Sequence, residues 1–167
     1  MAVSARQARR IQTPYRAEFV TCQYTEALRE FGAELVPWVW AHMSHVAKRY
    51  RRLPAATELD HIYGKRGPCE DSVNYMMTCR VAHHWKTNNT TLGRIVAVWA
   101  KIQLERSGES ELTHFDPVAV RAIWGRHALG QLQVWRETVD LPEWADLMAA
   151  DAIERWDAQP TDGVSDA

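Results

Sequence analysis

Between residues 58 and 90 the chain reads ELDHIYGKRGPCEDSVNYMMTCRVAHHWKTNNT, and no single element accommodates that order. It begins as a short strand, breaks through Gly64, Gly67 and Pro68, and resumes as a strand around Val73 to Met77. After Thr78, a residue suited to a helix N-cap, the pattern turns helical. The expected unit is a short two-stranded ribbon with a helix behind it. It carries an Asp-His pair, Asp60-His61, at the end of the first strand. Asn74 stands at the start of the second strand, and His83 one turn inside the helix.

Helical periodicity dominates on either side. From Tyr15 to Phe31, Val20, Tyr24, Ala27, Leu28 and Phe31 recur at three and four, which predicts one amphipathic helix ending near Gly32. Val36, Val39, Met43, Val46, Tyr50 and Leu53 predict a second helix, with Pro37 in its first turn. On another face of that helix His42, His45, Arg49 and Arg52 form a polar ridge that leads towards the central segment. Beyond the centre, Leu92, Ile95, Trp99 and Ile102 predict a helix ending near Ser107. Another is expected from Asp116 and Pro117 through Trp124, weakened by Gly125 and Gly130, with 131–139 either extending it or standing apart. Asp140 to Glu143 resembles a capping box opening a last helix through Trp156. The expected organisation is one domain over 1–167. Helices fill 15–53, the strand-strand-helix unit 57–90 and further helices 91–158, with a disordered tail over 159–167. The fold class is mainly α with a small two-stranded sheet.

The formal net charge of −1 hides a gradient. Residues 1–52 hold nine Lys and Arg against four Asp and Glu, residues 53–90 hold four of each, and residues 91–167 hold seven against thirteen. A basic half can attract a polyanion while the acidic, Trp-rich half faces another partner or a second copy. No apolar run approaches the ~20 residues of a membrane span. Three cysteines at irregular spacing, without an apolar segment after the basic N-terminus, point to a reducing cytoplasm. Most of the eight tryptophans are expected in the core.

The residue types of the central segment suit phosphodiester cleavage. That reaction needs a base for the attacking water and a cation on the phosphate. Histidine exchanges a proton near neutral pH. An aspartate with a second histidine can give a divalent ion two ligands, leaving other positions for water and phosphate. On the helix, Cys79, His83 and Thr87 share a face with Lys86, while His84 turns away.

In this register the segment resembles the HNH endonuclease family, the ββα-metal nucleases of phage and bacterial type. Their pattern runs roughly as DH, a loop, N, then a C-x-x-C-H-x-x-K-T helix. Asp60-His61, Asn74, Cys79, His83 and Lys86-Thr87 match it. The resemblance implies a ββα-metal motif embedded between the N- and C-terminal helices. Asp60 and His83 become ligands of a divalent metal, Mg²⁺ first, with Mn²⁺, Ni²⁺ or Zn²⁺ as alternatives. His61 becomes the general base, and Asn74 the residue that steadies the loop and orients His61. Lys65, Arg66, Arg80 and Lys86 are expected on DNA phosphates, joined by Arg49 and Arg52 of the ridge. Ala82 replaces the second cysteine of the helical pair, and no upstream C-x-x-C exists, so no structural zinc is expected. An irregular metal site from Cys69, Cys79 and His84 is the lesser reading of those residues, with Cys79 a buried thiol.

The expected function is thus metal-dependent DNA cleavage in the cytoplasm, a host's if the chain is phage-encoded. Two alternatives come from other classes. One is a non-cleaving DNA-binding or phage packaging accessory protein that keeps the ββα scaffold. The other is a helical interaction protein whose acidic half docks a partner.

Overall fold

A computed structural model describes residues 4–32, 53–63, 71–104 and 117–158. Over these the chain is mainly helical with one small two-stranded antiparallel sheet. Up to residue 52 the expected second helix over 36–53, with its ridge of His42, His45, Arg49 and Arg52, lies outside the described residues. So do Lys65, Arg66, Cys69, Asp116 and the tail over 159–167.

The N-terminal helix starts earlier and stops sooner than its apolar spacing predicts. Helix α1 spans Ala5–Glu18 and is opened by a capping box, in which Gln7 N donates to Ser4 Oγ and Ser4 N to Gln7 Oε1. The single helix expected from Tyr15 to Phe31 breaks over residues 19–22. There the backbone pairs with a distant segment, Cys22 N donating to Pro54 O and Ala56 N to Val20 O, both at 2.9 Å, around an isolated bridge of Thr21 with Ala55. Those bonds satisfy groups that a continuous helix would bond internally, and they turn Val20 out to 64% exposure. The chain re-enters a helix as α2, Gln23–Ala27, and closes with a π-helical turn over Leu28–Gly32.

Strand β1, Glu58–His61, pairs with β2, Tyr75–Thr78, in the register Glu58 with Thr78, Leu59 with Met77, Asp60 with Met76 and His61 with Tyr75. A 3-10 turn over Ser72–Asn74 precedes β2 where an extended run from Val73 was expected. The Asp71 carboxylate accepts from Val73 N at 3.3 Å and so caps that turn. Thr78 ends the strand, so Cys79 takes the N-cap position of α3, Arg80–Asn88.

A two-stranded ribbon is marginal alone, and this one is covered on both sides, all four β2 residues being buried. Under one face lie Ile11 and Tyr15 of α1 with Tyr75, Met77, Phe19 and Leu59. The Tyr15 hydroxyl donates to Tyr75 O at 2.8 Å and accepts from the buried Lys101 ammonium at 3.1 Å; Lys101 also donates to Ser72 O at 2.9 Å. The other face meets the main core.

That core is built round α4, Thr90–Leu104, whose residues from Ile95 to Ile102 are all buried. A helix buried on every side over these residues must be surrounded. Here α2, α3 and α6 pack against it. Each fully buried large side chain contributes about 1.5–3 kcal/mol of transfer free energy. The Asp151 carboxylate of α6 accepts from Trp99 Nε1 and Gln103 Nε2, both at 2.8 Å, and fixes the register of α6 on α4.

Helix α5, Pro117–Thr138, runs without interruption through Gly125, Gly130 and the stretch 131–138 whose assignment the sequence leaves open. At Gly125 a Cβ would stand 2.7 Å from the Trp156 ring, so the missing side chain lets that indole close on the helix. Helix α6, Glu143–Asp157, has Pro142 at its N-cap position with no side-chain cap bond, so Asp140 does not close the expected capping box. Trp85, Trp99, Trp124 and Trp144 are buried. No helix of the described residues is long and apolar enough to cross a membrane.

Candidate metal centre and its supports

Alternation along β1 puts Glu58 and Asp60 on one side of the ribbon and Leu59 and His61 on the other. Helix α3 lies across the carboxylate side with His83 and Lys86 three residues apart on its facing surface. The Asp60 side chain is 5% exposed and accepts three contacts. Lys86 Nζ donates to Oδ2 at 2.6 Å, the Tyr24 hydroxyl of α2 donates to the same oxygen at 3.1 Å, and His83 Nε2 stands 3.4 Å from Oδ1. Behind the imidazole, His83 Nδ1 is hydrogen-bonded to Glu58 Oε2.

These bonds fix the chemistry of the imidazole. With Nδ1 donating to Glu58, Nε2 either carries a proton towards Asp60 or offers a lone pair that only a cation can share with Oδ1. A carboxylate behind a histidine is the usual support of a metal-bound imidazole. The separation fits too. Two donors about 2.1 Å from one ion, at an angle between tetrahedral and octahedral, lie roughly 3.0–3.4 Å apart. Asp60 Oδ1 and His83 Nε2 thus stand at the separation that two ligands of one ion would have. Among the described residues no group of three or more His, Cys, Asp or Glu side chains is arranged to hold a metal.

Electrostatics follow the contacts. The hydrogen bond from His83 holds the Glu58 carboxyl below its ordinary value, helped by the charge of Arg80 and His84. Burial pulls the Lys86 ammonium down, and the Asp60 carboxylate beside it pushes it back up. Burial raises Tyr24 well above the usual phenol range, with Asp60 adding to the effect, so Tyr24 acts here as a neutral donor.

Of the remaining expected residues, His61 is not brought to the Asp60–His83 edge. The His61 ring packs edge-on against Tyr75, centroids 5.1 Å apart, on the opposite side of the ribbon from Asp60. Its backbone carbonyl accepts from Lys86 Nζ at 3.0 Å. Asn74 is fully buried and grips the backbone two residues beyond His61, its Oδ1 accepting from Tyr63 N at 2.9 Å and its Nδ2 donating to Tyr63 O at 2.5 Å. This side chain continues the ladder past the end of β1, since Ile62 N also donates to Asn74 O at 2.9 Å. Lys86, expected on phosphate, is turned inward with 12% of its side chain exposed. Arg80 is exposed and, with Val81, His84, Trp85, Asn88 and Asn89, lines an open groove of about 480 Å³ along the outer side of α3.

Cys79 is buried beside Cys22, and both are free thiols. The Cys22 thiol pulls Cys79 down to about 6, and burial pushes Cys22 up. Cys79 thus faces the core with Cys22 while His84 is exposed, which separates two members of the irregular Cys69, Cys79 and His84 site.

Sequence reasoning passed over three neighbours. Glu58 was within reach, because it stands two residues before Asp60 in a strand and so shares its face. Tyr24 gave no signal beyond its place in an apolar stripe. Arg94 of α4 lies with its guanidinium 4.5 Å from the centre of the Tyr63 ring and donates to Gln131 at 3.3 Å, which places a cation behind the chain that follows His61. No family model, no curated protein and no solved structure matches this chain.

Proposed function

We propose that the chain is a metal-dependent endonuclease of the HNH kind that hydrolyses DNA phosphodiester bonds. One observation carries the reading: Asp60 Oδ1 and His83 Nε2 stand 3.4 Å apart, on a ribbon and helix joined in the order that the family pattern implies. A divalent cation held there would polarise the scissile phosphate and stabilise the departing oxygen. Asp60 and His83 would hold it through one oxygen and one nitrogen. Glu58 holds the imidazole so that Nε2 faces Asp60. Asn74 fixes the backbone after His61; for His61 to take the proton of the attacking water, its ring must leave Tyr75 and turn to the Asp60–His83 side of the ribbon. Arg80, together with Lys65, Arg66, Arg49 and Arg52 outside the described residues, supplies cations for the DNA backbone, so binding weakens as salt rises.

The test is cleavage of plasmid and of labelled duplex, branched, nicked and single-stranded DNA with Mg²⁺ or Mn²⁺, with Asp60→Ala and His83→Ala alongside. Cleavage by the parent and its loss in both variants sustains the reading. A parent that cuts none of these substrates with either ion removes it.

One contact favours the alternative, a non-cleaving DNA-binding or packaging accessory protein. Lys86 Nζ lies 2.6 Å from Asp60 Oδ2 and already supplies that carboxylate with a positive charge. DNA binding without cleavage in the same assay would select it.

A further inference from the structure

The two oxygens of the Asp60 carboxylate keep different company. Oδ2 accepts from Lys86 Nζ at 2.6 Å and from the Tyr24 hydroxyl at 3.1 Å, whereas Oδ1 faces the His83 imidazole at 3.4 Å. Neither donor is loosely held. Lys86 is tied by a second bond to His61 O at 3.0 Å, and Tyr24 is fully buried on α2. The carboxylate is therefore clamped from one side by two donors that come from outside its own strand.

Resting on the cation reading of the preceding subsection, the geometry points to Lys86 and Tyr24 as the residues that decide which divalent ion the site accepts. By occupying Oδ2 they leave Asp60 as a one-oxygen ligand. An ion shared by both oxygens would stand about 2.3–2.6 Å from Oδ2, beside the ammonium, and meet its charge. Ca²⁺ gathers about six to eight oxygens and draws on two-oxygen carboxylates to do so. One carboxylate oxygen and one imidazole nitrogen serve it poorly. Mn²⁺ and the later first-row ions accept imidazole and need no two-oxygen carboxylate. Glu58 works in the same direction, because its bond to Nδ1 keeps Nε2 pointed at the ion. The clamp thus discriminates against Ca²⁺, and its removal opens the second oxygen.

Calorimetric titration of the full chain with Mn²⁺ and with Ca²⁺, in the absence of DNA, reads this selectivity without any cleavage. The parent binds Mn²⁺ and binds Ca²⁺ far more weakly. Lys86→Met keeps the length of the side chain without its charge. It shifts the ratio of the two dissociation constants towards Ca²⁺ by about tenfold, the lower end of what supporting residues contribute at metal sites. Tyr24→Phe shifts the ratio in the same direction by less. Circular dichroism establishes that each variant is folded. If Lys86→Met is not, Tyr24→Phe alone decides. An unchanged ratio in a folded variant overturns the assignment to Lys86 and Tyr24, while Mn²⁺ binding by the parent leaves the metal reading standing. A parent that binds neither ion removes both.

Discussion

The indole of Trp124 donates to the side-chain carbonyl of Asn74 across 3.1 Å, joining a helix of the C-terminal half to the turn that leads into β2. The same oxygen accepts from Tyr63 N at 2.9 Å, so one buried atom ties together the end of the first strand, the start of the second and helix α5. A two-stranded ribbon is marginal alone and needs bracing, and this bond supplies part of it. Trp124→Phe removes the donor but keeps much of the ring. Because Asn74 retains its Tyr63 partner, the loss is expected near the low end of the range for a buried hydrogen bond, about 1–2 kcal/mol. Urea unfolding of the two proteins measures it. A variant as stable as the parent would show that α5 does not brace the ribbon.

The carboxylate-imidazole edge was legible in the sequence, whereas its supports were not, and the difference lies in distance along the chain. Asp60 and His83 sit in adjacent short elements whose periods are readable, so alternation in the strand and i, i+3 spacing in the helix bring them to one side. Tyr24 reaches Asp60 across 36 residues and Trp124 reaches Asn74 across 50. Periodicity marks both only as apolar core, and no local pattern says where a hydroxyl or an indole nitrogen will point. The broken N-terminal helix has the same origin. Its apolar spacing is helical, yet pairing of residues 20–22 with 54–56 offers the backbone partners that only the folded chain presents. Local preference, a few tenths of a kcal/mol per residue, yields to such contacts.

His61→Ala separates the base from the ion. The His61 ring lies against Tyr75 on the other side of the ribbon from the Asp60–His83 edge, so its removal leaves both proposed ligands in place. The expected result is loss of cleavage by about 10²-fold or more, the usual scale of general-base catalysis, with Mn²⁺ affinity and DNA binding close to the parent's. Asp60→Ala and His83→Ala should lose Mn²⁺ binding as well. Full cleavage by His61→Ala would take that residue out of the mechanism.

Acid stability should report on Glu58. The bond from His83 holds its carboxyl below the ordinary value, so the folded state binds this proton less readily than the unfolded chain. For a carboxylate held low, the stabilisation is complete above the unfolded value of about 4.3 and is lost as pH falls through the lower folded value. Glu58→Gln abolishes the contribution. The stability gap between parent and variant is therefore expected to be widest around neutral pH and to close as the solution is acidified below the unfolded value. A gap independent of pH would mean that the Glu58–His83 bond does not depend on the carboxylate charge.

Gly93 stands where α4 turns back under α3. A Cβ there would fall 2.6 Å from both the Cα and the carbonyl oxygen of Lys86, and neither is the end of a flexible side chain that could swing aside. Gly93 N also donates to Asn89 O, so the glycine is held from its own side of the turn. Gly93→Ala must therefore push the two helices apart. Helix propensity alone would favour alanine by about 1 kcal/mol. Overpacking of this kind costs roughly 1–3 kcal/mol, so the net change is expected to be destabilising or close to neutral, never the full gain. The displacement falls on Lys86 itself, which carries the bond to Asp60. Mn²⁺ affinity should then change in Gly93→Ala even where thermal unfolding shows the fold retained. A variant stabilised by the whole propensity gain, with parental Mn²⁺ affinity, would show that the approach of α4 to Lys86 does not set the position of its ammonium.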